Sequence, residues 1–287
     1  MTAVVTWLNR ECGQQVLWTV SDSRISNGVS DESISSFTDR CPKIFTISLL
    51  GSDTVSSPKT NLYSVGFAFA GSTLIGMAAK EIIEKTLSNL VLSKIEDADG
   101  NFIDVSEKDK TERQPSICDV ANLASKICSN LMRDVGSYRP KAAKAELSIF
   151  GYEEKKAIFE AFSITLSPDS QWKMIVHQID LYNEEMLYMG DRKNNFFEQL
   201  TKVRAGISCD SIEFNRAPIS VVENLIDSNE FNGIGGYRQC LLGTHLGFSE
   251  LQMYDASNGS PNYFGFDSEK DLPYLGMYQV NLPGLSE

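Results

Sequence analysis

The residue with the clearest chemical potential in this chain is the second one, Thr2, which directly follows Met1. Its small side chain would let a methionine aminopeptidase remove Met1, leaving a hydroxyl and a free α-amine on one residue. A hydroxyl is a weak nucleophile until a base takes its proton, and an α-amine with a pKa of about 8 can be that base. Threonine is also common at this position without catalysis, so the hypothesis depends on further residues.

Three features at the boundaries of predicted elements follow Thr2, namely Asp22-Ser23-Arg24, Lys43 and Ala70-Gly71-Ser72. Taken singly, each has an ordinary structural explanation. An aspartate at a strand end often closes a turn, a lysine can be a solvated charge on an edge strand, and a glycine can form the turn before a helix. Only their order behind an N-terminal threonine indicates a shared site.

The composition disfavours most other catalytic chemistries. The chain of 287 residues has only two histidines, His177 and His245, which argues against Ser-His-Asp or Cys-His catalysis and against histidine metal sites. None of the six cysteines forms a CxxC pair, so neither a zinc site nor a redox motif is indicated. We therefore expect no metal and no cofactor.

Charge and hydropathy restrict the partners and the compartment. The formal net charge of −12 argues against nucleic acid as a partner, because phosphate contacts need clustered lysine and arginine. No apolar run reaches the roughly 20 residues of a membrane helix, and the first residues lack the pattern of a signal peptide. We therefore expect a cytoplasmic protein that contacts neither membrane nor nucleic acid.

Apolar and β-branched runs predict two β-hairpins before the first helix, with strands at 3–8, 16–20, 43–50 and 62–70. Helical spacing of apolar residues predicts a helix that begins at Ser72 or Thr73. A second helix is predicted over 117–134, with Ser116 and Asp119 as a capping box and Gly136 as its stop. Later patterns predict strands at 145–152, 157–165, 172–179 and 238–244, and a short helix at 221–226.

The order of these elements predicts an α+β fold in which antiparallel sheets carry layers of helices. We expect one domain over residues 1–247, with insertions near 95–115 and 188–218. Residues 248–287 show no clear period and are expected to form a C-terminal extension.

The four motifs Thr2, Asp22-Ser23-Arg24, Lys43 and Ala70-Gly71-Ser72, in this order, resemble the β subunits of the proteasome and their bacterial relatives. The pattern is most similar to the ancestral β-subunit (Anbu) branch, and it is also similar to the HslV peptidase. The resemblance covers about residues 2–162, with a weaker match at Gly235-Gly236. It implies a four-layer αββα sandwich of the N-terminal nucleophile (Ntn) hydrolase class, and subunits that stack as a homo-oligomeric ring.

The resemblance also implies roles for the matching residues. Thr2 would supply the nucleophilic oxygen and, through its amine, the base. Lys43 would lower the pKa of that amine and of the hydroxyl, and Asp22 would hold Lys43 charged and oriented. The backbone N–H of Gly71 would form the oxyanion hole.

Two further positions match the family less well. Ser148 is similar to the serine that hydrogen-bonds the N-terminal amine in that family. The family's late aspartate, just before a Gly-Gly pair, has Asn232 as its nearest counterpart here, with Asp227 further away. An asparagine can orient a hydroxyl but cannot carry charge, so this part of the site departs from the pattern.

Three functions remain open from the sequence. The first is a threonine-dependent amidohydrolase that acts on peptides or proteins after Met1 is removed. The missing late aspartate and the long insertions favour the second, a catalytically inactive scaffold or assembly subunit. The third is an Ntn amidase that hydrolyses a small non-peptide amide.

Overall fold

Two extended β-sheets dominate the structure, a computed structural model that describes residues 2–27, 35–54, 56–92, 94–95, 102–103, 112–183, 185–228, 232–254, 261–263, 266–267 and 284–285. In chain order the strands are β1 (Ala3–Asn9), β2 (Val16–Ser21), β3 (Ile25–Asn27), β4 (Ser35–Thr38), β5 (Ile44–Ser52), β6 (Thr60–Gly71), β7 (Leu90–Val91), β8 (Lys94–Ile95), β9 (Phe102–Ile103), β10 (Ala145–Glu153), β11 (Ile158–Leu166), β12 (Met174–Ile179), β13 (Leu187–Gly190), β14 (Gln239–Thr244), β15 (Gly247–Tyr254), β16 (Pro261–Tyr263), β17 (Phe266–Asp267) and β18 (Gly284–Leu285). The helices are α1 (Thr73–Leu87), α2 (Ile117–Tyr138), α3 (Lys193–Arg204) and α4 (Ile212–Asp227).

The strands form two main sheets. The first sheet has the order β13-β1-β2-β14-β15-β16-β17, with β18 beside β15, and the second has the order β12-β11-β10-β6-β5-β7. Among the described pairs, β5–β7 and β15–β18 are parallel and the other pairs in these sheets are antiparallel. Two small ribbons, β3–β4 and β8–β9, lie outside both sheets.

Three apolar clusters separate four layers. Helices α1 and α2 pack on the second sheet through residues such as Ile75, Val120 and Phe67. Helices α3 and α4 pack on the first sheet through residues such as Phe196 and Val222. A third cluster fills the space between the two sheets. The order helix, sheet, sheet, helix confirms the predicted αββα sandwich.

Strand β1 shows why a strand inside the sandwich could be predicted from the sequence. All its residues are buried, because Ala3, Val5 and Trp7 face the helices while Val4 and Leu8 face the other sheet. A strand covered on both faces needs a nearly continuous apolar run instead of strict alternation. Residues 3–8 have that run, so their position inside the sandwich follows from their composition.

The helix ends confirm one local expectation and correct another. Ser116 and Asp119 form the predicted capping box of α2, each side chain accepting from the backbone N–H of the other residue. The helix does not stop at Gly136 but continues to Tyr138. A Cβ at position 136 would collide with the Trp172 ring, so this glycine permits close packing.

The segment 188–218 is part of the sandwich in this structure, although the sequence indicated an insertion there. It completes β13 at the edge of the first sheet, contains all of α3 and begins α4. The predicted short helix at 221–226 is the second half of α4, which includes Pro218. Strand β15 pairs with β14, so the first sheet continues beyond residue 247. Most of 95–115 lies outside the described residues.

Candidate active site

Thr2 lies directly before the first residue of β1, in the interior of the molecule. The residue is only 4% exposed. Strand β1 pairs with β2 on one side and with β13 on the other, with Ala3 opposite Gly190. The carbonyl oxygen of Thr2 accepts a hydrogen bond from the backbone N–H of Asp191 at 2.9 Å. The backbone of Thr2 is therefore held by a main-chain hydrogen bond from the residue that follows β13.

Lys43 connects Thr2 with Asp22. Its Nζ donates to Thr2 Oγ1 at 3.1 Å and to Asp22 Oδ1 at 2.8 Å. The Lys43 side chain is 2% exposed and the Asp22 side chain is fully buried. A buried ammonium beside a hydroxyl favours the developing negative charge on that oxygen. The structure thus brings three of the predicted site residues into direct contact.

The carboxylate of Asp22 is satisfied on both oxygens by donors in the described part of the chain. Oδ1 accepts from Lys43 Nζ and from the backbone N–H of Ala3 at 3.0 Å. Oδ2 accepts from the backbone N–H groups of Arg24 and Gly235 at 3.3 and 3.2 Å. A buried charge needs this degree of pairing, because desolvation otherwise outweighs the attraction within the ion pair.

Gln239 holds the backbone that presents Lys43. In β14, its side-chain Oε1 accepts from the backbone N–H of Lys43 at 2.9 Å, and its Nε2 donates to the carbonyl of Cys41 at 2.7 Å. The carbonyl of Lys43 accepts from Phe69 N–H at 3.1 Å. The sequence reasoning missed Gln239. The available signal was a glutamine at the start of an otherwise apolar strand.

Ser23 and Arg24, the two residues after Asp22, connect the two ends of the polar loop that precedes Lys43. Arg24 donates to both oxygens of Asp39, from Nε at 2.6 Å and from Nη2 at 3.2 Å. These hydrogen bonds hold the pKa of the Asp39 carboxyl below its usual value, with burial acting in the opposite direction. The backbone N–H groups of Ser23 and Arg24 donate to the carbonyl of Gly235. The Gly-Gly match thus lies against the Asp22-Ser23-Arg24 motif.

Gly71 and Gly190 have backbone conformations that other residues avoid. Their φ angles are +92° and +94°. A Cβ on Gly71 would overlap the Lys144 carbonyl, and a Cβ on Gly190 would overlap the carbonyl oxygen of Thr2. Both glycines line one cleft of about 440 Å³. The predicted oxyanion position therefore adjoins the strand end that holds Thr2, and Gly190 was not anticipated from the sequence.

Ser148 and Asn232 have different environments. Ser148 lies on β10 opposite Ala68 and Ser163, is fully buried, and its hydroxyl has no hydrogen-bond partner among the described residues. Asn232 is exposed in the turn before the Gly-Gly pair. The suggested contacts of these two residues with Thr2 remain predictions.

Metal-binding groups and membrane-spanning helices are both absent from the described ranges. Within them, no group of three or more histidine, cysteine or acidic side chains could hold a metal ion. No helix in the same ranges is long and apolar enough to cross a membrane.

Comparison with solved structures places the fold. The ancestral β-subunit Anbu from Yersinia bercovieri superposes with a TM-score of 0.50 at 12% identity, covering 84% of this chain and 81% of that chain. The chain has the Anbu fold. An Anbu Gly-1 mutant from Hyphomicrobium sp. strain MC1 gives a TM-score of 0.49 with the same identity and coverage. No protein-family model matches the sequence, and no curated protein matches it significantly.

The similarity to the Anbu structure agrees with the resemblance seen in the sequence. At 12% identity the similarity concerns the fold alone. The chemistry open to this Anbu-like chain is therefore set by its own contacts among Thr2, Asp22 and Lys43.

Proposed function

We propose that this protein is a threonine-dependent N-terminal nucleophile hydrolase that cleaves peptide amide bonds after loss of Met1. The observation that supports the proposal is the buried contact of Lys43 Nζ with both Thr2 Oγ1 and Asp22 Oδ1. An ammonium that is itself paired with a carboxylate is a fixed charge, and it can stabilise an oxygen nucleophile without being reoriented during the reaction.

The reaction begins when the freed α-amine of Thr2 takes the proton of Oγ1 and the oxygen attacks the substrate carbonyl carbon. The carbonyl oxygen becomes an oxyanion, to which Gly71 would donate its N–H. The C–N bond then breaks, the α-ammonium returns its proton to the leaving amine, and an ester remains on Thr2. Water attacks that ester, with the α-amine again as base, and releases the acid and the free threonine.

We propose further that the protein works in the cytoplasm as a homo-oligomer of stacked subunits. Two apolar side chains on the outer face of α1 support a subunit contact, since Leu74 is 69% exposed and Ile82 is 43% exposed. Large apolar side chains that share an exposed helix face are typical of protein interfaces.

The proposed nucleophile is tested by combining intact mass with activity. The purified protein should have lost one methionine, and a β-lactone should add to Thr2. Thr2→Ala, which still permits removal of Met1, should abolish both labelling and cleavage of a peptide library. Thr2→Ser should retain part of the activity, because it keeps the hydroxyl and the amine.

The alternatives correspond to distinct results of this experiment. A native mass that retains Met1, together with an absence of labelling, would contradict the proposal and favour the scaffold function. Labelling at Thr2 with cleavage of small amides but no peptides would favour the non-peptide amidase.

A further inference from the structure

The cleft next to Gly71 contains an acidic group that the proposed reaction does not use. Glu146, on β10, lines this cleft together with Asp191 and the two positive-φ glycines. It lies two residues before Ser148 on the strand, so both side chains point to the same face of the second sheet. The cleft therefore combines the oxyanion position, the backbone that holds Thr2, and two carboxyl groups.

The position of the Glu146 carboxylate is fixed by a main-chain contact. Its Oε2 accepts the backbone N–H of Gly190 at 2.9 Å. Within the described residues, no lysine or arginine forms an ion pair with it. Burial raises the pKa of Glu146, nearby Asp191 acts in the same direction, and the Gly190 N–H and Lys193 act against it. A partly buried carboxylate without a cationic partner is costly to keep ionised.

The remaining wall suits the hydrocarbon part of a long cationic side chain. Met132, Ala143, Ala145 and Leu166 contribute apolar surface to the cleft. The basic side chain that lines it, Lys144, is exposed to solvent. Alkyl stems of lysine and arginine pack along apolar surface while the charged end reaches a polar partner.

We propose that this cleft binds an alkylammonium or guanidinium group of the substrate and that Glu146 is the residue that selects it. The inference rests on the proposed function, because the bound group belongs to the substrate of the same site. Gly190 connects the two, since it donates to Glu146 and pairs with β1 next to Thr2. The cation would therefore lie on a residue close to the cleaved bond.

Binding can be tested without turnover in the full-length Thr2→Ala protein. The probes are blocked tripeptide amides with one lysine at each position in turn, and their counterparts with norleucine, which lacks the charge. We expect calorimetry to give at least one lysine peptide a Kd about tenfold below that of its norleucine partner, as for a charge-assisted contact. Glu146→Gln should abolish this difference, and it keeps an oxygen that can accept from Gly190. Glu198→Gln, an exposed change on α3, is the matched control and should leave the difference intact.

Equal affinity within every peptide pair, or no detectable binding, would overturn the assignment. So would a lysine preference that survives Glu146→Gln. Hydrolysis of the same peptides by the protein with Thr2 is a separate measurement. Glu146-dependent binding without any hydrolysis would refute the hydrolase and leave the cation site standing. Hydrolysis without any preference for the charged peptide would refute the cation site and leave the hydrolase standing.

Discussion

At the scale of single residues, the candidate chemistry depends on one buried ion pair with a hydroxyl beside it. Lys43 and Asp22 are almost completely excluded from solvent, and each supplies the opposite charge that offsets the desolvation of the other. Gln239 adds a second constraint, because it holds the backbone from which the Lys43 side chain extends. The site is therefore built into the core, so changes to it should affect stability as well as activity.

Lys43→Met should destabilise the protein by about 3–5 kcal/mol, because it leaves the Asp22 carboxylate buried without its cation. Urea denaturation at neutral pH measures the free energy of unfolding. The double variant Lys43→Met/Asp22→Asn should recover part of the loss, since no isolated charge then remains. Lys59→Met is the control, because that lysine is exposed and donates to the exposed Asn89 side chain, so its loss should change the free energy of unfolding by about 0.5 kcal/mol or less. A Lys43→Met protein as stable as the parent would contradict the buried-pair argument.

At the scale of elements, the site forms where the ends of several strands meet. Thr2 directly precedes β1, the end of β2 leads to Asp22, and β6 ends at Gly71. Strand β13 closes the arrangement, since its last residue approaches the Thr2 carbonyl so closely that only glycine fits. Strand ends suit the formation of a site because the sheets fix their positions, whereas the backbone beyond them is not constrained by sheet pairing.

Gly190→Ala should cost roughly 2 kcal/mol or more, because the new Cβ combines a strained φ with overlap on the Thr2 carbonyl. Gly206→Ala is a matched control, since its φ is +78° but a Cβ there meets no atom within 4 Å. The control should show only the conformational strain of about 1 kcal/mol. Thermal unfolding measures the loss of stability, and β-lactone labelling measures the effect on the reactivity of Thr2. Equal losses in both variants would show that the Thr2 contact is unimportant.

At the scale of the whole molecule, the αββα order makes α1 part of an outer layer, and one of its faces is exposed in a single subunit. That face carries Leu74 and Ile82, while the opposite face packs on the second sheet. The proposed occupant is a second copy of this chain, in line with the stacked assembly implied by the family resemblance. Burying such apolar surface would contribute roughly 25 cal/mol per Å².

Light scattering at micromolar concentration should therefore give a mass several times that of one chain. Leu74→Asp/Ile82→Asp should lower it, because charged side chains resist burial in an interface. Leu246→Asp, which alters an apolar side chain in the β14–β15 turn, is the control and should leave the mass unchanged. A monomeric parent protein, or an unchanged mass in the double variant, would exclude this face as the subunit contact.

Local features were predictable where neighbouring residues decide them. The capping box of α2 depends on Ser116 and Asp119, three positions apart, and it could be identified from their types alone. Gly136 was misinterpreted because its reason for being glycine is the distant Trp172 ring. Helix α3 was missed because only Phe196 and Leu200 of its residues are buried, which leaves a weak apolar stripe.

The amino-acid sequence by itself determined the doubly covered strands, the first two helices, and a set of motifs in which Thr2, Asp22 and Lys43 turned out to be in contact. Those features depend on composition and order along the chain. Only the tertiary structure decided which backbone surrounds Thr2, because Gly190, Asp191 and Gln239 reach the site through sheet pairing over long separations in sequence. Such contacts have no local pattern, since they arise from the packing of the two sheets against each other and against α3 and α4.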